Sequence, residues 1–290
     1  MRVCSFAKIN LALAVLGRRT DGYHDIETVF QAIDLSDELY FRPSAEISLT
    51  CEGLPGVPEK DNIVWKAASL LAERIGERRG AAVTLLKNIP SGAGLGGGSG
   101  NAAAALLGLR RFWSLDVSDA DLYAIAADIG SDVPFFLMGG AALGKGRGEI
   151  LTALPDFQPE HLVVLFPGVA VSTASAYRAL NLGLTSEDSD RIIRRFPGLA
   201  GNGSSCQAGI FNDFEAAILP AYPEIAEAKS FLEKQGSTAT LLSGSGSSVF
   251  GFFLCEESAR AVVAAVNRAS WRAFPAKTLA RAEYFHRMFG

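Results

Sequence analysis

What this chain has little of narrows its function before any motif is considered. Its four cysteines, Cys4, Cys51, Cys206 and Cys255, stand far apart, with no C-x-x-C pair and no histidine nearby. Such spacing suggests neither a disulfide framework nor a zinc site, and fits the reduced thiols of a cytoplasmic protein. A basic excess is missing too: the net charge is −4, and cations cluster no further than short pairs such as those at 18–19, 78–79 and 110–111. A nucleic-acid surface is therefore not expected. No apolar run approaches a membrane span, and the amino-terminal stretch carries no basic leader ahead of an apolar core, so no membrane partner is expected. Internal repeats and low-complexity tracts are absent. The 290 residues have ample apolar content for one large domain or two ordinary ones.

Glycine, by contrast, is concentrated. The stretch from Asn88 to Trp113 reads NIPSGAGLGGGSGNAAAALLGLRRFW. Pro90 ends a strand-like run, and Gly92, Gly94, Gly96, Gly97, Gly98 and Gly100 leave successive backbone N–H groups free to close on an anion. Ser99 or Asn101 is expected to cap the alanine-rich helix that follows, whose positive end then points into the loop. That geometry suits a polyphosphate. Two familiar phosphate loops are excluded by what is missing. A Walker A loop needs a lysine directly after its last glycine, and here Gly98 is followed by Ser99. Gly92, Gly94 and Gly97 satisfy G-x-G-x-x-G, but residues 112–120 do not read as the second strand a dinucleotide fold requires. A flexible linker is a poor alternative, because linkers are rarely set between a strand and a strongly helical run.

Earlier in the chain, residues 5–16 alternate as a strand, with Ala7, Ile9, Leu11 and Leu13 on one face and Phe6, Lys8, Asn10 and Ala12 on the other. A lysine in such a strand either has an anionic partner or lies on a solvated edge. A turn at Asp21–Gly22 delivers Tyr23 and His24, which either stack on a flat ring or are loop surface, and residues 28–35 return as a strand. Asn62 reads most simply as the cap of a helix over 63–75. A second helix over 118–129, capped by Ser118 and stopped by Gly130, delivers Asp132, either a structural cap or a carboxylate in need of a partner. Residues 155–159 form a plausible linker, which divides the chain into 1–155 and 156–290. Beyond it, helices are expected over 172–182, 214–219, 226–235 and 256–269. Residues 184–209 read as irregular, and the turn Ser243 to Ser248 joins two strands. A last strand is expected over 278–285.

Taken together, Lys8-Ile-Asn10, the loop from Pro90 to Ser99 and the turn Ser243-Gly-Ser-Gly246 resemble the three motifs of the GHMP kinases, the superfamily of galactokinase, homoserine kinase, mevalonate kinase and phosphomevalonate kinase. The D-G-Y-H at 21–24, the G-L-G-G-G-S at 94–99 and the S-D-V-P-F-F at 131–136 are similar to the branch acting on a cytidine diphosphate-linked methylerythritol. The resemblance implies a two-domain α+β fold with the active site between the domains. It also implies ATP-dependent phosphorylation, with Mg²⁺, of the acceptor's 2-hydroxyl on the non-mevalonate route to isoprenoids, by a monomer or homodimer. ATP would lie against Pro90, Gly92, Ala93, Gly94, Leu95, Gly96, Gly97, Gly98, Ser99 and Gly100, with Asn62 on the adenine side. Asp132 would contact the hydroxyl and Lys8 would sit beside it. Asn10 would touch the substrate near that hydroxyl, Tyr23 and Tyr177 would sandwich the cytosine, and His24 would read its edge. Lys145 would meet the diphosphate, and Gly244 and Gly246 would lie on the substrate side. Relatives commonly carry a small polar residue or Ala where this chain has Gly100, so Ser99 or water is left to serve Mg²⁺. A kinase for another small alcohol, a ligand sensor of the same fold and a dinucleotide oxidoreductase are the competing readings.

Overall fold

A computed structural model describes residues 1–180, 192 and 205–290. Two long strands dominate it: β1 (Arg2–Arg18) and β2 (His24–Ser44) pair antiparallel across the turn at Asp21–Gly22. The return strand runs well past its expected end. Its second half hides behind charge, since Leu35, Leu39 and Phe41 are buried at every second position of a segment rich in Asp and Glu. β3 (Ile47–Glu52), β4 (Gly80–Leu86), β5 (Ala141–Lys145) and β6 (Ile150–Ala153) complete most of a seven-stranded sheet.

β1 does not keep one parity. A register shift between Asn10 and Ala12 inserts one residue against β2, and an inserted residue sends every later side chain to the opposite face. Ala12 and Ala14 therefore join Ala7, Ile9 and Leu11 in one core, while Leu13 packs with Val15 and Ile26 in another. The expected grouping of Leu13 with Ile9, and of Ala12 with Lys8, is corrected by that bulge.

One face of the sheet carries α1 (Ile63–Ile75), α2 (Gly97–Phe112), α3 (Asp119–Ile129) and the short α4 (Val133–Met138). Asn62 caps α1 by accepting from Val64 N at 2.9 Å, and Ser118 caps α3 by accepting from Asp121 N at 3.1 Å. α2 is buried along most of its length because its residues are small. A Cβ on Gly108 would come within 2.7 Å of the Phe41 ring, so the helix lies closer to the sheet than larger residues allow.

After residue 155 the chain builds a second, antiparallel sheet in the order β11-β7-β10-β9. Its strands are β7 (His161–Phe166), β9 (Thr240–Leu242), β10 (Val249–Phe253) and β11 (Arg272–Lys277). The helices of this half are α5 (Thr173–Ala179), α6 (Glu215–Ala221), α7 (Pro223–Lys234) and α8 (Glu256–Ala264). The expected last strand is instead α9 (Arg281–Phe289), whose Tyr284 and Met288 sit four residues apart on one buried face of a helix. α9 and the short β8 (Phe211–Asn212) return to the first half, β8 pairing with Ala12 and Leu13. The expected irregular stretch at 184–209 lies mostly outside the described residues, as does the end of the helix expected over 172–182. Among the described residues no helix is long and apolar enough to cross a membrane.

Candidate active site

A cavity of about 1140 Å³ opens between the two sheets, room for two ligands side by side. Pro90 to Ser99 forms one wall. The residue that caps α2 is Gly96, left-handed at φ 66°, and neither Ser99 nor Asn101 makes a side-chain cap there. Ser99 lies in the first helical turn and faces the cavity. Asn101 turns inward: its amide donates to Ser5 Oγ at 2.9 Å and Asp37 Oδ2 at 2.8 Å, and its carbonyl accepts from Lys87 Nζ at 3.1 Å. Asp37 is fully buried, 2.5 Å from the Lys87 ammonium, and accepts the backbone N–H groups of Asn88 and Ile89 at 2.6 and 2.8 Å. This buried carboxylate pins the strand end from which the glycine loop departs. Sequence reasoning passed over it, although Asp37 holds the same period-two phase as Leu35 and Leu39, where a charge must have partners.

Gly100, expected among the ATP contacts, is buried against β1 and does not reach the cavity wall. A Cβ there would stand 2.7 Å from the Phe6 carbonyl. The loop is also tied across the chain. Lys8 N donates to Leu95 O at 2.9 Å, Ser243 Oγ to Gly94 O at 3.0 Å, and Ser248 N to Ala93 O at 3.1 Å. The turn containing Gly244 and Gly246 is thus clamped onto the loop.

Lys8 does not lie on a solvated edge, for it is 4% exposed. Its ammonium donates to Asn10 Oδ1 at 2.7 Å, and Asn10 Nδ2 donates to Thr28 Oγ1 at 2.7 Å, which donates to Ala12 O at 2.8 Å. Asn10 is thereby a bracket for Lys8 on the cavity wall. Asp132 Oδ2 lies 3.7 Å from the same ammonium, on a side chain one-third exposed. Asp132 stands at the cap position of α4 but makes no side-chain cap bond, so its carboxylate is left to the cavity. Burial pushes the Lys8 ammonium below its ordinary 10.5, and the charge of Asp132 acts the other way.

At the aromatic end the expected base-binding rings pack on side chains of this chain. The His24 ring stacks on Tyr177 at 4.4 Å and 10°, while Tyr23 is exposed with the Arg147 guanidinium 4.8 Å over its ring. Burial, then the charge of Asp132, pushes the Tyr177 hydroxyl up to about 12. Burial and the nearby Arg18 push His24 down from 6.5, so its ring is neutral at pH 7 and offers one donor and one acceptor. Asn62 lines the cavity while capping α1. Lys145 does not line it; its ammonium lies 3.1 Å from the buried Glu27.

A triphosphate laid on the α2 terminus would end beside Lys8 and Asp132, with the rest of the cavity open to an acceptor, and that division of labour defines a GHMP kinase. The sequence agrees: residues 62–140 match the GHMP kinases N terminal domain and 193–273 the GHMP kinases C terminal domain. The narrower family follows from close relatives. A 4-diphosphocytidyl-2-C-methyl-D-erythritol kinase of Pelotomaculum thermopropionicum is 46% identical, over 90% of this chain and 92% of the relative. Its counterpart in Geobacter metallireducens is 42% identical, over 91% and 93%. A crystal structure of 4-(cytidine 5'-diphospho)-2C-methyl-D-erythritol kinase superposes with a TM-score of 0.80 at 36% identity, covering 96% of this chain and 99% of that one. A homoserine kinase from Cytophaga hutchinsonii shares the fold alone, at a TM-score of 0.71 and 19% identity over 98% of this chain and 96% of that one. The chain belongs to the 4-diphosphocytidyl-2-C-methyl-D-erythritol kinase family of GHMP kinases.

Proposed function

We propose that this chain transfers the γ-phosphoryl group of ATP to the 2-hydroxyl of 4-diphosphocytidyl-2-C-methyl-D-erythritol, on the non-mevalonate route to isoprenoid precursors. The observation that carries this is that the Lys8–Asp132 pair lies in one cavity with a glycine-lined helix terminus and with the Tyr23, His24 and Tyr177 rings. Residues 1–155 and 156–290 are the two lobes we assign to it. The loop from Pro90 to Ser99 cradles the triphosphate, Asn62 lies on the adenine side, and the three rings receive cytosine, which takes the place His24 holds on Tyr177. Gly244, whose Cβ would lie 3.3 Å from Asn10 Oδ1 and 3.4 Å from Lys8 Nζ, leaves room for the acceptor beside the pair.

The acceptor oxygen attacks the γ-phosphorus as the bond to ADP breaks, and its proton passes to Asp132. Lys8, held by Asn10, meets the charge on the moving phosphoryl group. In a loose transition state the acceptor oxygen gains little acidity until the phosphoryl group has largely moved, so the transfer is carried by alignment and charge, with the proton leaving late. Ser99 offers a hydroxyl oxygen on the cavity wall beside the glycine loop, a hard donor that fits Mg²⁺, which keeps most of its waters. Bound there, Mg²⁺ would neutralise triphosphate charge.

Two measurements test this reading. ADP release is compared for the cytidylyl compound, mevalonate, homoserine and galactose at equal concentration; turnover of the first alone is expected. Equal turnover of mevalonate or homoserine overturns the acceptor assignment, and ATP binding without any turnover favours a sensor. The second measurement is the kcat–pH profile. The protonated lysine is the form that meets phosphoryl charge, and its pKa is lowered, so kcat is expected to fall on the alkaline side with a midpoint below 10.5. A rate unchanged through that range would remove Lys8 from the chemistry.

A further inference from the structure

Between β5 and β6 the chain turns through Gly146, Arg147, Gly148 and Glu149. The turn is firmly held: Ile26 N donates to Gly146 O at 2.7 Å and Gly148 N to Lys145 O at 3.0 Å. Its two cations part company. Lys145 turns to the buried Glu27, and Arg147 lines the active cavity. Glu149 steadies Arg147 by accepting its backbone N–H at 2.6 Å and its Nε–H at 3.4 Å. The two Nη groups, the edge of the fork that suits phosphate oxygens, donate to no protein acceptor among the described residues.

The position of this fork matters more than its charge. On one side the guanidinium lies 4.8 Å over the Tyr23 ring, at the end assigned to the base. On the other, a Cβ built on the next residue, Gly148, would lie 3.8 Å from Asp132 Oδ1, at the reacting hydroxyl. Arg147 therefore stands between base platform and phosphoryl-transfer point. An acceptor that joins cytidine to a polyol through a diphosphate must pass its two phosphates through that interval. Asp21, the acid on the facing turn, is paired with Arg19 at 3.0 Å. Arg18 and Arg178 add positive charge to the same cavity.

We infer that Arg147 is the specificity-determining residue that binds the acceptor's diphosphate; the inference rests on the function proposed above. It makes the enzyme select nucleoside diphosphate-linked alcohols over free polyols of the same shape. The side chain could instead merely prop Tyr23, or act on the transferring phosphoryl group, and the test separates these roles.

Binding of cytidine 5'-diphosphate and of cytidine is measured by calorimetry to the wild type, Arg147→Met and Arg147→Lys, alongside steady-state kinetics. Arg147→Met is expected to weaken cytidine 5'-diphosphate by about 10–100-fold, the worth of a charge-assisted contact. Cytidine binding stays unchanged, and Arg147→Lys recovers part of the loss. The KM of the acceptor rises in parallel, with kcat within about threefold and the KM of ATP unaltered. Equal weakening of cytidine and its diphosphate would make Arg147 a prop for Tyr23 and overturn the assignment. A fall in kcat at constant KM would move Arg147 to the phosphoryl group and overturn it too. A wild type that binds the two probes equally also defeats it, whereas one that binds neither sinks the base platform and the functional reading beneath it. Tyr23→Ala serves as the contrast, since it should weaken both probes.

Discussion

Asp132→Asn is expected to lower kcat by about 10²–10⁴-fold, the usual range for removing a positioned proton acceptor. The isosteric amide keeps the shape of the site but cannot take a proton and carries no charge for Lys8. The KM of ATP should change little, because the nucleotide wall is built by the glycine loop and not by α4. A further consequence follows from the pair at 3.7 Å. Burial lowers the Lys8 pKa, and the charge of Asp132 opposes that lowering. Without the charge the ammonium loses its proton more easily, so the alkaline limb of the residual activity should move to lower pH than in the wild type. Near-normal kcat in Asp132→Asn would exclude the carboxylate from both proton transfer and alignment. A large rate loss with an unmoved alkaline limb would keep Asp132 in catalysis but uncouple it from Lys8.

Gly94→Ala is expected to cost ATP use and stability together. The residue sits at φ 77°, and a Cβ there would stand 2.0 Å from the Ser243 carbonyl, a backbone atom of the opposing turn. The left-handed conformation alone costs an alanine about 1–2 kcal/mol. The overlap adds about 1–3 kcal/mol of overpacking, or else pushes loop and turn apart. Gly92→Ala is the internal control: φ is 65°, yet nothing lies within 4 Å of its built Cβ, so it bears the conformational cost without the clash. Gly94→Ala should raise the KM of ATP at least tenfold more than Gly92→Ala does and show the larger fall in Tm. Equal effects of the two variants would show that contact between loop and turn contributes nothing to the nucleotide site.

Much of the site was legible because its parts are local. The glycine loop, the alanine helix behind it, the caps Asn62 and Ser118, and the turn at Asp21–Gly22 each follow from residues within a few positions of one another. Lys8 and Asp132 stood out for a related reason. Each is a charge in an apolar segment, and such a charge must find a partner or stay in water. What escaped notice depended on contacts distant in sequence. Asn101 reads as a cap because its neighbours are helical, but it is drawn inward by Ser5, Asp37 and Lys87. Arg147 was passed over for Lys145, two residues away in the same turn. Nothing local says which of the two meets buried Glu27 and which faces the cavity.

By itself, then, the sequence determined the chemistry on offer: an anion cradle, a cation in an apolar strand, a carboxylate ahead of an apolar run, and a pair of flat rings at a loop tip. Periodicity and capping depend on short-range sterics and hydrogen bonds, which survive without knowledge of the fold. Tertiary structure alone decided how these pieces face one another. The bulge after Asn10 sets which side chains of β1 share a core. The turn around Gly244 closes on the loop at Gly94, and the β5–β6 turn sends Arg147, not Lys145, into the cavity. Each is settled by packing and by the need to pair buried charge across long stretches of chain, and neither is written in any one segment.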